Sequence, residues 1–362
     1  MKTIFLFAAT ATVLLGTQIA QAQSNVTVTG VLDSYAGSRQ LSGSPRSTRV
    51  DSGGLTTSQL TLQGIEDLGG GLKAEFVLGM FLRVDTGESG RATGDPLFAR
   101  NSYVGLSGGF GTLRLGRQTT GNFLNFIRTN SFGDSSTFGP TFVQTWVAAV
   151  AQGSQFMTPG APPTSRSLTG ALGTTDSTWN NAVSYISPNL GGVTVTAQWA
   201  PSEAAGIGNR TGLSAFYANG PLTLALATEQ IGNASVPPSG PAAAVLAKQR
   251  TWHASGAYAF PFGRISAGYL DTKRDYAAIV DDSIRTWHLG ANIPVGTGSV
   301  LFQTAHSRQT PDTGAAMTRT TTSVGYDYYL SKRTDLYAVV MNDRFTGNAS
   351  GNSYGVGIRH RF

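Results

Sequence analysis

Gly351-Asn352-Ser353-Tyr354-Gly355 has the G-x-S-x-G spacing that, in hydrolases, lifts a nucleophilic serine onto a strand-to-helix elbow. That chemistry needs a helix after the serine, then an acid and a histidine. Here a period-two stretch comes next, and only His360 lies downstream, with no acid. Gly69-Gly70-Gly71 would cradle a phosphate only ahead of a helix, and Leu72-Lys73-Ala74-Glu75-Phe76 alternates like a strand instead. His253, His288, His306 and His360 lack the close spacing of a metal set, and Asp281-Asp282 reads as a solvated acidic pair rather than a calcium site. No catalytic centre, metal or cofactor is expected. What remains is electrostatic chemistry: arginines set in the middle of strands, which would shape the field inside a water-filled passage.

The elements that would carry those charges show best in the last ten residues, Ser353 to Phe362. Tyr354, Val356, Ile358, His360 and Phe362 share one parity; Gly355, Gly357, Arg359 and Arg361 share the other. One face suits lipid and the other water, so the stretch reads as the closing strand of a transmembrane barrel, where pairing with the first strand removes both edges. Val26, Val28, Gly30 and Leu32 against Thr27, Thr29, Val31 and Asp33 give that first strand. Leu72, Ala74, Phe76, Leu78 and Met80 against Lys73, Glu75, Val77 and Gly79 give a strand long enough to span a tilted bilayer.

Composition agrees. Met1-Lys2, an apolar run from Ile4 to Leu15 and Ala20-Gln21-Ala22 make residues 1–22 a signal peptide, leaving 23–362 as the barrel. The chain has no cysteine, 40% hydrophobic and only 13% charged residues, which suits a sheet lined by water on one side and lipid on the other. The formal net charge of +6 is scattered, so nucleic acid is not an expected partner.

Seven tight turns recur, at Gly69-Gly70-Gly71, Gly108-Gly109-Phe110-Gly111, Ser187-Pro188-Asn189-Leu190-Gly191-Gly192, Asn219-Gly220-Pro221, Phe260-Pro261-Phe262-Gly263, Pro294-Val295-Gly296-Thr297-Gly298 and Leu330-Ser331-Lys332-Arg333. With both termini on the turn side they give eight hairpins and sixteen antiparallel strands, an even number as a closed barrel requires. One interval is about double the rest. It holds a third loop, about residues 119–178, containing Phe123, Phe126, Phe132, Phe138, Phe142, Trp146 and Phe156. So many aromatics must pack on something, and the lumen of a sixteen-stranded barrel has the room; the loop is expected to fold inward and narrow the passage.

An arginine facing lipid at the midplane costs roughly 2 to 4 kcal/mol, so Arg100 and Arg114 are expected to face in. On that parity Ser102 and Val104 would face in and Tyr103 out, while Leu113 and Leu115 face out. Tyr258, Phe260, Tyr326, Tyr328 and Phe362 lie near the turns, as an interfacial aromatic girdle would. Gln59 and Arg100 stand at similar heights above their turns. The expected lining of pore and constriction is Gln59, Gln63, Lys73, Glu75, Arg83, Arg100, Arg114, Arg128, Asp134 and Arg166, with Asp176 balancing the loop's charges.

These residues match a family. Glu66 to Ala74 (EDLGGGLKA), Tyr103 to Arg117 (YVGLSGGFGTLRLGR), the SPNLGG turn at Ser187, SKRT at Ser331 to Thr334 and the terminal GIRHRF resemble the general porins of Gram-negative outer membranes, in their beta-proteobacterial and neisserial branch. The resemblance spans essentially the whole mature chain. It implies a homotrimer of sixteen-stranded barrels in outer-membrane lipid, an inward third loop, passive diffusion of small hydrophilic solutes and ions, and a terminal Phe362 read by the outer-membrane assembly machinery. Arg100 resembles the family's constriction arginine; relatives often carry arginine where this chain has Gln59, and some near Thr178. The basic arc is thinned, and weak anion preference is expected. An alternative is a solute-selective channel with a binding site on the third loop, served by Phe138, Phe142 and Trp146.

Overall fold

The computed structural model describes residues 25–91, 94–145, 177–203, 208–232, 234–235, 245–276 and 280–362. The expected signal peptide, Arg166, Asp176, Trp146 and Phe156 lie outside the described residues. The first half comprises β1 (Asn25–Arg39), β2 (Ser47–Ser52), β3 (Gln59–Gly69), β4 (Leu72–Phe81), β5 (Asn101–Gly108), β6 (Gly111–Thr119), the helices α1 (Gly121–Arg128) and α2 (Pro140–Thr145), β7 (Thr178–Ile186), β8 (Val193–Ala200) and β9 (Arg210–Asn219). The second half comprises β10 (Leu222–Ile231), β11 (Ala234–Ser235), β12 (Val245–Phe260), β13 (Gly263–Tyr276), β14 (Asp282–Val295), β15 (Gly298–Pro311), β16 (Met317–Tyr329), β17 (Thr334–Phe345) and β18 (Gly351–Arg361).

Every pairing is antiparallel, and the ring closes between β1 and β18, Val31 opposite Arg361 through to Ser38 opposite Tyr354. Two segments are continuations. β2 and β3 pair with the two halves of β1, and β11 extends β10 along β12. The eighteen segments therefore make sixteen staves, and all seven tight turns join consecutive hairpins. At the first turn Gly69, Gly70 and Gly71 all have positive φ, which residues with a Cβ resist. The seam is tightened by Phe362: its backbone exchanges hydrogen bonds of 3.0 and 3.1 Å with Gly30, and its ring lies where a Gly30 side chain would be.

Alternation sorts the two solvents. Tyr354, Val356 and Ile358 stand exposed on the outer wall, whereas Ser353 and Arg359 are buried on the inner one. Near the turns Phe260 and Phe262 stack outward at 5.2 Å and Tyr258 sits against Phe260 at 4.6 Å, an interfacial belt.

The faces of β5 correct the expectation drawn from Arg100. Glu75 lies opposite Gly105 and Val77 opposite Tyr103, which puts Tyr103 inside; Val104 is 60% exposed on the outer wall and Ser102 shares its parity. The ladder begins only at Asn101, so Arg100, just outside it, reaches the lumen without fixing the parity of the strand residues after it. Arg114 does face in, its guanidinium 4.7 Å over the Tyr103 ring, with Leu113 and Leu115 outside.

Candidate functional site: a charged opening beside a lumen-packed segment

Residues 120–145 bond to the inner parity of the wall. Thr120 caps α1, its side-chain oxygen accepting from the Phe123 N–H at 3.1 Å. Gln198 accepts from the Gly121 N–H at 2.7 Å, Asn122 donates to Glu229 at 3.0 Å and its oxygen meets His253 Nδ1 at 2.8 Å. At the other end Arg264, from β13, donates to the carbonyls of Arg128 and Asn130, a cation where the helix dipole is negative. Ser131 and Ser266 share a hydrogen bond. Beyond, the Phe138 carbonyl accepts from Ser323 at 2.6 Å, and Gln144 donates to Ala305 and Thr321 at 3.0 and 2.8 Å.

Apolar residues lock the same segment. Phe132, Phe138 and Val143 join Tyr35, Leu41, Leu55, Leu301, Tyr337, Val339 and Met341 in one buried cluster, with Phe138 edge-on to Tyr35 at 5.2 Å. Gly355, on the inner face of β18, leaves room for this: a Cβ there would come within 2.9 Å of the Phe138 ring. Phe142 packs on Phe123 and Phe126. Phe138, fully buried, is therefore structural, a correction to its expected role in binding a solute, whereas Phe142 is only partly buried.

A second feature meets the segment from the opposite side. Between β2 and β3 the chain bulges inward, because the buried Asp33 carboxylate accepts the N–H groups of Gly54, Leu55 and Thr56 at 3.0, 2.9 and 2.8 Å and the Tyr337 hydroxyl at 2.5 Å. Ser135 and Thr137 donate to the Gly54 and Gly53 carbonyls at 2.6 and 2.8 Å. The segment and the bulge together close off one side of the lumen.

The open side is bounded by β3 to β6. Gln59, Thr61 and Gln63 share the inner parity with Val77 and Glu75. Gly79 is opposite both Thr61 and Asn101, so Arg100 stands one step beyond Thr61, level with Leu60 and next to Gln59 in height. Its guanidinium reaches Thr61 Oγ1 at 3.5 Å. Facing it is Asp134, whose carboxyl is pushed up to about 6 because burial outweighs the attraction of Arg100. Arg114 is held by Glu75 at 2.7 Å and is neutralised there. Arg128 lies 4.6 Å over Phe216. Lys73 belongs to the turn-side rim, opposite Asp67 and Ser107, and Arg83 pairs with Glu88 at 2.6 Å in the connection past β4.

The decoys resolve structurally. Ser353 lies on strand β18 and bonds the backbone of Gln40 at 2.9 and 3.1 Å. His253 and His288 are buried beside Phe126. Among the described residues no group of three His, Cys, Asp or Glu could hold a metal ion. Asp281-Asp282 is not a solvated pair, because Asp282 is buried against Arg274 and Asp281 accepts from the Tyr276 N–H at 2.6 Å. Sequence reasoning missed Arg264, Asp33 and the bulge. The signals were present in the inner parity of Arg264 and Asp33 and in the flexible pair Gly53-Gly54.

The sequence matches the Gram-negative porin family over residues 8–348. It is 31% identical to outer membrane porin protein 32 of Delftia acidovorans, over 95% of this chain and 90% of that one, and 28% identical to an outer membrane porin protein of Bordetella pertussis, over 95% and 96%. Among solved structures, an anion-selective porin from Comamonas acidovorans superposes with a TM-score of 0.75 at 26% identity, covering 94% of this chain and 100% of that one. OmpT of Vibrio cholerae shares the fold with a TM-score of 0.67 at 15% identity, over 95% and 100%. Wet inside, apolar outside and closed on itself, the chain belongs to the Gram-negative porins, integral β-barrel channels of the outer membrane.

Proposed function

We propose that the channel passes small hydrophilic solutes by diffusion with a weak preference for anions, and that the opening between Arg100 and Asp134 sets that preference. The observation that carries this is the charge balance around the opening. Among the described residues Arg114 is neutralised by Glu75, whereas Arg100, Arg128 and Arg264 have no carboxylate within ion-pair distance; against them stand Asp134 and the buried Glu229. Selectivity follows charge at the narrowest point, and the excess is small. The anion-selective porin to which the chain is similar supports the sign.

Export and assembly belong to the same reading: residues 1–22 as a cleaved leader, Phe362 as the signal read during barrel assembly, and three copies per channel unit. A concavity of ≈ 610 Å³ on the outer wall, lined by Val26, Phe76, Val104, Leu106, Leu113 and Leu115 among others, supports apolar contact with a neighbouring copy there. The test of selectivity is the reversal potential of single channels in a potassium chloride gradient. Wild type should prefer chloride modestly and Arg100→Gln should lose that preference; clear cation selectivity of the wild type sinks the proposal.

A further inference from the structure

The wall beneath the packed segment holds polar atoms that the segment covers without satisfying. On the inner parity of β12, β14 and β15, His253, His288 and Gln303 are almost completely buried. Among the described residues, His253 Nε2, both ring nitrogens of His288 and both amide atoms of Gln303 have no hydrogen-bond partner, nor has Thr141 Oγ1 on α2. Strand register makes the wall residues one patch. His288 is opposite Gly268 and Ala305, Gln303 is opposite Gly290, and His253 is opposite Leu270 on β13, the strand between the two histidines. Small neighbours let the rings lie against the wall, since a side chain on Gly268 would run into His288 Nε2. Phe126 of α1 meets both histidines, its ring centroid 6.3 Å from that of His253 and 6.5 Å from that of His288.

The segment is fastened around this patch by side chains. Thr129 shares a hydrogen bond with Ser255 at 2.7 Å and Ser131 with Ser266 at 3.1 Å, while Asn292 donates to the Ser131 carbonyl at 2.9 Å. Gln144 donates to the Ala305 carbonyl at 3.0 Å and accepts from Ser307 at 2.5 Å. The wall is fixed by its ladders, whereas α1 and α2 rest on these bonds and on aromatic packing. A charge added beneath them therefore displaces the segment before the strands. The charges around the patch are already engaged. Glu229 of β10 is tied to Asn122 at 3.0 Å, with Arg210 of β9 also acting on it. On β13, Arg264 bonds the end of α1, and Arg274, six residues beyond Gly268, is paired with Asp282 of β14. Arg128 of α1 rests on Phe216. On β16, Arg319 is paired with Asp343 and Asp327 with Arg359. From α2 and β15 come only Thr141, Gln144, Gln303, Ser307 and Gln309 as polar side chains.

Neutral imidazoles suit such a covered patch. Protonated, each ring turns its acceptor nitrogen into a second donor, His288 then has two donors and no acceptor, and the two cations lie in each other's field beneath aromatic rings. Buried charge of that kind is costly, and histidine is the side chain whose charge changes in mild acid. We propose that His253 and His288 form a proton-operated latch for the packed segment: neutral, they seat it on β12 to β15; protonated, they push α1 off the wall into the lumen and lower the conductance. Titrating histidines that bias a packed interface between two positions is an established kind of switch. The latch is independent of the selectivity proposed for Arg100 and Asp134, because it acts on how much current passes and not on which ion carries it.

The test is conductance in planar bilayers, titrated from about pH 8 to about pH 3.5 in the Asp134→Asn background, which removes the titration at the opening. Conductance should fall reversibly by at least about twofold, with the steepness of about two coupled protons. In that background His253→Gln/His288→Gln should hold the neutral-pH conductance throughout, and His288→Gln alone should leave a shallower fall of about one proton. The chain has no cysteine, so Ser131→Cys/Ser266→Cys, placed where the two hydroxyls meet, staples the segment to β13 without competing thiols. The oxidised staple should abolish the fall and a reductant should restore it, which decides the matter even if the double histidine variant folds poorly, as heat-modifiable migration would report. Three results would overturn the latch: flat conductance in the Asp134→Asn protein, an undiminished fall in the folded double histidine variant, or an undiminished fall in the oxidised staple.

Discussion

Acidification should strengthen the anion preference, and Asp134 is the group responsible. Its carboxyl titrates at about 6. Above that pH it is ionised and opposes Arg100; below it is neutral and Arg100 acts alone. An ion passing roughly 5 to 8 Å from a unit charge, in a medium of effective dielectric constant about 60 to 80, feels about 0.5 to 1 kcal/mol. Neutralising Asp134 should therefore ease chloride and hinder potassium by about two- to fivefold each, raising the chloride-to-potassium permeability ratio by about five- to thirtyfold, less at high salt. Reversal potentials measured from about pH 8 down to about pH 4.5 should show one step centred near 6. Asp134→Asn should hold the acid-limb value throughout. Stability carries the same sign: the folded carboxyl sits above the usual 3.8, so the folded state keeps a proton that the unfolded chain releases. The resulting stabilisation is complete below about 3.8 and is lost as pH rises through about 6. A flat profile, or an undiminished step in Asp134→Asn, would refute the pairing of Asp134 with Arg100 across the opening.

Two further substitutions probe the wall and its contents. Gly30→Val would bring a Cβ to 2.5 Å from the Phe362 ring and 2.9 Å from the Gln59 carbonyl. Overpacking of that kind costs about 1 to 3 kcal/mol, so the fraction of heat-modifiable barrel recovered on refolding into detergent should fall, and recovery equal to wild type would argue against a sealed seam. Phe138→Ala removes a fully buried ring and about 3 to 5 kcal/mol of anchoring. Single-channel records should then show larger and noisier conductance while heat resistance of the barrel changes little; an unaltered conductance would mean that the segment does not depend on this contact.

The staves were legible because lipid accepts one chemistry: any strand crossing it must show an apolar parity, and turns must fall at the period the bilayer sets. Sixteen strands, seven turns and the seam at Phe362 are consequences of that alone. The lumen was legible only in part, because water accepts every side chain. Arg100 reaches the inner-parity Thr61, but the argument from its charge misassigned Val104 and Tyr103, since Arg100 lies one residue outside the ladder that fixes parity. Likewise the break between β2 and β3 is not fixed by the period-two pattern. Its cause, three N–H groups converging on Asp33, involves a carboxylate some twenty residues away in sequence.

Apolar residues on the inner parity carry the remaining information. Tyr35, Leu301, Tyr337, Val339 and Met341 point away from lipid and would be costly against bulk water, so each marks wall that something else covers. Gly355 and Gly357 share that face, and side chains there would collide with Phe138 and Tyr337 respectively. Large residues facing in beside small ones therefore trace the footprint of the packed segment on β1, β15, β17 and β18. The inner parity of β3 and β4 carries Gln59, Thr61, Gln63, Glu75 and Lys73 beside Ile65, Val77 and Phe81, and Arg100 and Arg114 add charge to that arc. On the proposed reading, the opening lies where staves keep polar and charged residues on the inner face, and the charges left on that arc select ions.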